Sequence, residues 1–191
     1  MGRRKSYDRE EVLEKAMRLF WAKGFEGTHL GELVEVTGVN RFGLYSEFDG
    51  KEGLFKEALE LYLKGTREAY QGALAKAPLG LDNIRGYFRS IEFCSDYHGC
   101  FMINTLTEKN IVSPDAFDEA KKMMAEIEGL FLDNLTAAQD NGEVAPGLPL
   151  AALAKMLVAA DSGISIYGII SAKEADKDDI VDQLLRLFDA R

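Results

Sequence analysis

Cysteine, histidine and proline are scarce in this chain, with two, two and four residues respectively among 191. Two cysteines, Cys94 and Cys100, are too few to staple a chain of this length, which excludes a disulfide framework. Two histidines leave little with which to assemble a general acid/base set. No GxSxG, HExxH, P-loop or dinucleotide fingerprint is present either. An enzyme is therefore not expected, nor a resident metal or cofactor. The four prolines (Pro78, Pro114, Pro146 and Pro149) are outnumbered by Ala, Leu, Glu and Lys, a balance that favours helix. The N-terminus lacks an apolar stretch: Met1 to Glu11 is charged, unlike a secretory signal, so the expected compartment is the cytoplasm. Only one long apolar run occurs, from Leu150 to Ala172, and its length would suit a membrane span. It carries Lys155 and Asp161 together with Ser162, Ser165 and Ser171, and charges at that depth are costly in lipid. The better expectation is a helix buried on most sides by protein, at a subunit interface, with no membrane partner.

What is present describes a globular protein. The hydrophobic fraction is 47% and the charged fraction 29%, enough apolar chain to bury a core. The net charge of −9 would by itself repel nucleic acid, but it is unevenly distributed. Residues 1–50 hold 8 Lys/Arg against 9 Asp/Glu, while residues 51–191 hold 15 against 23. The near-neutral head also begins with a basic cluster, Arg3, Arg4, Lys5 and Arg9, and can approach phosphates where a uniformly acidic surface could not.

Helical periodicity runs through nearly the whole chain, and period-two alternation is not found. Asp8-x-x-Glu11 has capping-box spacing and opens a first helix with Val12, Leu13, Ala16, Met17 and Phe20 on one stripe. Lys23-Gly24 stops it. Thr28 is the expected N-cap of a second short helix through Leu30, Leu33 and Val34, ended by Gly38. Asn40 caps a third, Arg41 to Glu47, and Asp49-Gly50 turns into a long fourth beginning at Lys51. Ala77-Pro78-Leu79-Gly80 reads as a hinge. Further helices are expected near 82–96, 100–110, 115–141, 150–172 and 176–190, giving an all-α chain of about nine helices.

Three short helices in about forty residues, with a glycine turn between the second and third, have helix-turn-helix spacing. The third must reach the major groove from a stiff scaffold. Val34, Val39 and Leu44 are placed to pack the pair, leaving Arg41, Phe42 and Tyr45 outward. The ordered motifs Ala22-Lys23-Gly24-Phe25-Glu26-Gly27-Thr28, Gly38-Val39-Asn40-Arg41, Leu44-Tyr45-x-x-Phe48 and Lys51-Glu52-x-Leu54-Phe55 resemble the head of TetR/AcrR-family regulators across residues 5–65. Gly99-Cys100-Phe101, with Asn104 and Glu108, resembles a segment of one branch of that family.

The resemblance implies a DNA-binding head at 5–65 and a helical effector-binding and dimerisation body at 66–191. It implies a homodimeric repressor on a palindromic double-stranded operator, released by an unknown small-molecule or thiol-reactive signal. Thr28 would then bond a phosphate at a helix N-terminus. Arg41 would read guanine O6 and N7. Tyr45 and Lys51 would contact phosphates, and Arg3, Arg4 and Lys5 would form an arm along the backbone or in the minor groove. Asn40, Phe42 and Gly43 complete the expected contact segment. The last two depart from the family, where Pro or Gly and then Ser or Thr are usual, and Phe42 offers an apolar contact to a thymine methyl.

In the body, Cys94, Asp96, His98 and Cys100 form the one cluster of metal or redox character. Its chemistry stays open between inert buried thiols, a thiol switch and a metal site with a single histidine. An apolar pool of Tyr87, Phe101, Met102, Thr105, Ile127, Phe131 and Tyr167 could line an effector pocket or be plain core. Leu153, Leu157, Ile164 and Tyr167, with Leu184 and Phe188, suggest a four-helix dimer interface.

Overall fold

The computed structural model describes residues 7–93, 96–171 and 174–188. Cys94, Arg3, Arg4 and Lys5 lie outside the described residues. Among those described there are nine helices and no strand: α1 (Arg9–Gly27), α2 (Leu30–Thr37), α3 (Arg41–Phe48), α4 (Gly50–Leu74), α5 (Leu81–Arg89), α6 (Phe101–Thr107), α7 (Pro114–Asp140), α8 (Leu150–Ile170) and α9 (Glu174–Arg186). They form two compact units. One comprises the chain up to Gly65 with Phe101–Lys121, the other Thr66–Cys100 with Lys122–Arg191. The helix-turn-helix head thus includes α6 and the start of α7, which sequence periodicity had grouped with the body.

The first unit is built around aromatic rings. Phe20 and Phe25 each sit 5.0 Å from Phe55, edge-on, and Phe101 of α6 closes the cluster at 5.4 Å from the same ring. Each such pair adds about 0.5–1.5 kcal/mol to the burial of its area. This is why α6 belongs to the head. Local signals set the helix ends. Asp8 accepts from the Glu10 N–H at 2.9 Å, and Val12, Ala16 and Phe20 are buried along the expected stripe. Gly24 breaks α1 with φ +73°, a left-handed conformation that glycine adopts freely. Gly38 ends α2 at φ +71°. One cap is corrected: His29, not Thr28, is the N-cap of α2, with the Glu32 carboxylate accepting the His29 N–H at 2.9 Å.

In the second unit, Tyr70, Leu74, Ile84, Phe88, Ile127, Phe131, Leu135 and Leu157 are buried together. Asn134, fully buried, donates to the Leu74 and Leu130 carbonyls and accepts from the Gly80 N–H and the Asn83 amide. Those bonds pin the 77–80 turn to the core, so it is an anchored corner rather than a hinge. The helix expected at 82–96 ends earlier, at Arg89, where Ser90 caps it by donating its N–H and its hydroxyl to the Tyr87 carbonyl.

α8 is long and apolar enough to cross a membrane by composition, with mean hydropathy 1.4 over its best window. Only 33% of that window is buried, so the expected burial on most sides is not met within one chain. Its two faces differ. Ala154, Leu157, Val158, Asp161, Ile164 and Gly168 are buried inside the unit, whereas Ile166, Tyr167, Ile169 and Ile170 are exposed. This corrects the expected interface set. Leu157, Ile164 and Phe188 are core residues of their own chain, Leu153 and Leu184 are half-buried, and Tyr167 alone of the six faces outward.

Candidate nucleic-acid interface

α3 presents its side chains through a local lock at its N-terminus. The Asn40 carboxamide oxygen accepts the Gly43 N–H at 2.8 Å, satisfying one of the free donors of the first turn. Gly43 is required here by packing: a Cβ on it would sit 2.7 Å from Cγ1 of Val39, which is buried and β-branched. The residue that departs from the family pattern therefore follows from its neighbour. Leu44 and Phe48 bury the inner side, with the Arg9 guanidinium 4.8 Å above the Phe48 ring and donating to Glu57 of α4 at 2.7 Å. One arginine braces α1, α3 and α4.

The outer side of α3 is open. Phe42 is 83% exposed and Tyr45 61%, and Arg41 is exposed with no ion-pair partner among the described residues. The Tyr45 ring edge lies against Gly50, where a Cβ would come within 2.8 Å of Cε1. A guanidinium, a phenyl and a phenol therefore stand together on one short helix. Exposing two large aromatic rings costs hydrophobic free energy in the isolated molecule, and contact with a partner recovers it.

Two expected contacts take other positions. Thr28 is fully buried, and its hydroxyl donates to the Gly24 carbonyl at 2.7 Å, so it closes the break in α1 instead of facing a phosphate. Lys51 is half-buried with its ammonium 4.3 Å from the centre of the Phe25 ring. Burial pulls its ammonium below the ordinary lysine value, opposed by the nearby Glu108 and Glu26 carboxylates. Its charge is directed at the turn between α1 and α2.

That turn depends on a residue to which sequence reading assigned no role. Glu108, just beyond α6, accepts the Phe25 N–H at 2.8 Å and the Glu26 N–H at 3.1 Å. These are backbone donors freed by the break at Gly24. A Cβ on Gly24 would fall 2.8 Å from Glu108 Oε1, so glycine is needed there for space as well as for its φ. Lys23 pairs with Glu32 across the same turn, and this hydrogen bond, before the His29 N–H, holds the Glu32 carboxyl below its usual value. The last turn of α1, which leads into α2, is thus held by a residue just beyond α6. A negative residue at a helix end was the available signal, but its partners lie 83 and 82 positions away.

The apolar pool divides between the units. Phe101, Met102 and Thr105 are buried in the core of the first, where Phe101 touches Phe55 and Tyr62 and the Thr105 hydroxyl donates to the Phe101 carbonyl. They are head packing, not effector lining. Ile127 and Phe131 are core residues of the second unit, and Tyr87, part-buried there, donates its hydroxyl to Asp161. Cys100 is a half-buried thiol at the start of α6. Among the described residues no three His, Cys, Asp or Glu side chains are grouped to hold a metal ion.

Known proteins share this architecture. Residues 12–58 match the family model for bacterial regulatory proteins of the tetR family. The HTH-type transcriptional repressor ComR of Escherichia coli K12 is 34% identical, the alignment covering 98% of this chain and 91% of that protein. The chain belongs to the TetR family. Members of the TetR family are DNA-binding transcription regulators rather than enzymes, in line with the missing catalytic motifs. Among solved TetR structures, the regulator CifR, as a cysteine mutant complexed with 26bp double-strand operator DNA, superposes with a TM-score of 0.83 at 26% identity, covering 97% of this chain and 98% of that one. Reduced NemR of E. coli shares the fold, with a TM-score of 0.79 at 20% identity, covering 92% and 94%.

Proposed function

We propose that this TetR-family protein is a homodimeric repressor working in the cytoplasm. It binds a palindromic operator through α3 and is released by a small-molecule or thiol-reactive signal received in the second unit. The observation that carries this reading is the outward face of α3, where Arg41, Phe42 and Tyr45 stand exposed on a helix locked at its N-terminus and braced from behind. A repressor such as ComR and a DNA complex such as that of CifR support extending operator binding to this chain.

In this reading residues 5–65, packed with Phe101–Lys121 of the same unit, carry DNA recognition, and the remainder of 66–191 carries signal reception and dimerisation. Arg41 pairs with a guanine edge, Phe42 lies against a thymine methyl and Tyr45 donates to a phosphate, with Asn40 and Gly43 shaping the turn. Arg3, Arg4 and Lys5 add backbone contacts ahead of α1. Two copies would pair through the exposed side of α8, placing two α3 helices about 34–36 Å apart, one DNA turn. A signal that prefers one body conformation would alter that spacing and so alter affinity. The half-buried Cys100 favours testing thiol reagents beside neutral effectors.

The test is selection of bound sequences from random DNA, repeated in several salt concentrations and with peroxide or a quinone. A two-fold symmetric site with a steep salt dependence is expected. Arg41→Ala should weaken it by about 1–3 kcal/mol and relax one position per half-site. Selectivity unchanged by Arg41→Ala would refute the reading helix. Oxidant release that persists after replacing Cys94 and Cys100 by Ser would eliminate the thiol signal.

A further inference from the structure

Three neighbouring residues at the turn that opens α3 control one another. Val39 is 3% exposed, and its N–H donates at 3.2 Å to the Thr37 hydroxyl, which itself donates to the Leu33 carbonyl. A β-branched side chain so placed is stiff. Its Cγ1 occupies the space that a side chain at position 43 would enter, 2.7 Å from where a Cβ would stand. The same Cβ would lie 3.5 Å from the Asn40 carboxamide oxygen. Position 43 is bare because Val39 fills the space beside it, and the Asn40 carboxamide closes over the bare position to accept the Gly43 N–H at 2.8 Å.

This bond decides what Asn40 can offer a partner. A carboxamide carries an acceptor oxygen and an NH2 with two donors. The oxygen is turned to the helix backbone, while the NH2 of this exposed residue has no acceptor among the described residues. Base edges separate such a group sharply. An asparagine that pairs with adenine uses its oxygen and its NH2 together, on N6 and N7. A group that only donates is matched by N7 and O6 of guanine or by O4 of thymine, and it is opposed by the amino groups of adenine and cytosine. Residues at the start of a reading helix are the ones that reach base edges.

We propose that Asn40 is a specificity-determining residue that reads guanine or thymine as a donor only, and that the buried Val39 is the positioning residue that keeps it so. Val39 acts from behind the helix through Gly43. Any side chain at position 43 must displace either Val39 or the first turn of α3, and with that turn the N–H that holds the carboxamide. The inference rests on the reading of α3 as the operator-binding helix.

The experiment selects bound sequences from random DNA with four full-length proteins: the parent, Asn40→Asp, Gly43→Ala and the double variant Val39→Ala/Gly43→Ala. Thermal unfolding of each is recorded, and binding is measured well below the lowest Tm. Aspartate caps a helix as well as asparagine does but presents only acceptors when ionised. Asn40→Asp should therefore keep the fold and change one position of each half-site from guanine or thymine to cytosine or adenine, reversing the preference there by about tenfold or more. Gly43→Ala should lower Tm and flatten the preference at that same position, and the double variant should bring the preference back. If Gly43→Ala does not fold, recovery of the fold and of the parental preference in the double variant supports the role of Val39. An unchanged consensus in Asn40→Asp, with affinity lowered equally for every sequence, means a phosphate contact and overturns the proposal. A position that stays as sharp in Gly43→Ala as in the parent, or that the double variant does not restore, overturns the part played by Val39. Failure of the parent itself to select any sequence would instead sink the repressor reading.

Discussion

Gly53, in the first turns of α4, sets two effects of opposite sign against each other. Replacing a helix-interior glycine by alanine ordinarily stabilises by up to about 1 kcal/mol, because the unfolded chain loses conformational freedom. At Gly53, however, an added Cβ would lie 1.8 Å from the Phe48 carbonyl oxygen and 2.9 Å from its carbon. Both are backbone atoms at the end of α3 and cannot rotate aside. Overpacking costs about 1–3 kcal/mol, and a backbone clash this short belongs at the top of that range. The net expectation for Gly53→Ala is a loss of about 2 kcal/mol, or roughly 4–8 °C in Tm for a chain of this size.

Gly65 provides the control. It lies on the same helix, is exposed, and an added Cβ would meet nothing within 4 Å. Gly65→Ala should raise Tm by roughly 2–4 °C on propensity alone. Both variants are to be compared with the parent by calorimetry at one protein concentration, since pairing of chains would make Tm concentration-dependent. The same clash pushes α3 away from α4, so Gly53→Ala should also weaken operator binding at temperatures where it remains folded. Should Gly53→Ala match or exceed the parent in Tm, the tight contact between α3 and α4 would be refuted, and with it the account of how the reading helix is held.

Glu108→Ala removes the acceptor for the Phe25 and Glu26 N–H groups, and urea unfolding should show a loss of about 1–3 kcal/mol with a larger proportional loss of DNA affinity. A change within 0.3 kcal/mol, on the order of the measurement error, would mean the turn does not need α6. Arg67 hydrogen-bonds Glu126 at 2.7 Å, holding its carboxyl below the ordinary value. The stabilisation is therefore complete above the unfolded glutamate value near about 4.3 and is lost as pH falls through the lower folded value. Both partners are partly exposed, so the gap between parent and Glu126→Gln should be below about 1 kcal/mol at neutral pH and should close in acid; a gap that widens on acidification contradicts this. Ile170→Asp, at a position 77% exposed, should yield monomers by light scattering with little change in helix content, whereas the buried Leu157→Ala should cost about 2–5 kcal/mol whatever the assembly state. A dimer undisturbed by Ile170→Asp would place the interface elsewhere.

Much of this molecule is written in local chemistry. Asp8, Gly24, Gly38, Asn40 and Asp49 each act on backbone groups within a few residues. The helix-turn-helix could therefore be read from order and spacing, although α1 continues past the break at Gly24 to Gly27. The cap of α2, read at Thr28, falls instead at His29, because the fold buries the threonine with its hydroxyl on the Gly24 carbonyl. Tertiary structure alone decided what depends on distant partners: that Glu108 holds the turn at Phe25 and Glu26, that Lys51 leans on Phe25, and that Phe101 belongs to the head. It also divided α8, sending Leu157 and Ile164 inward and Ile166 and Ile170 outward. Periodicity reports that a face is apolar; which apolar face a chain covers with its own helices depends on how those helices cross, and that is a property of three-dimensional packing rather than of any window of sequence.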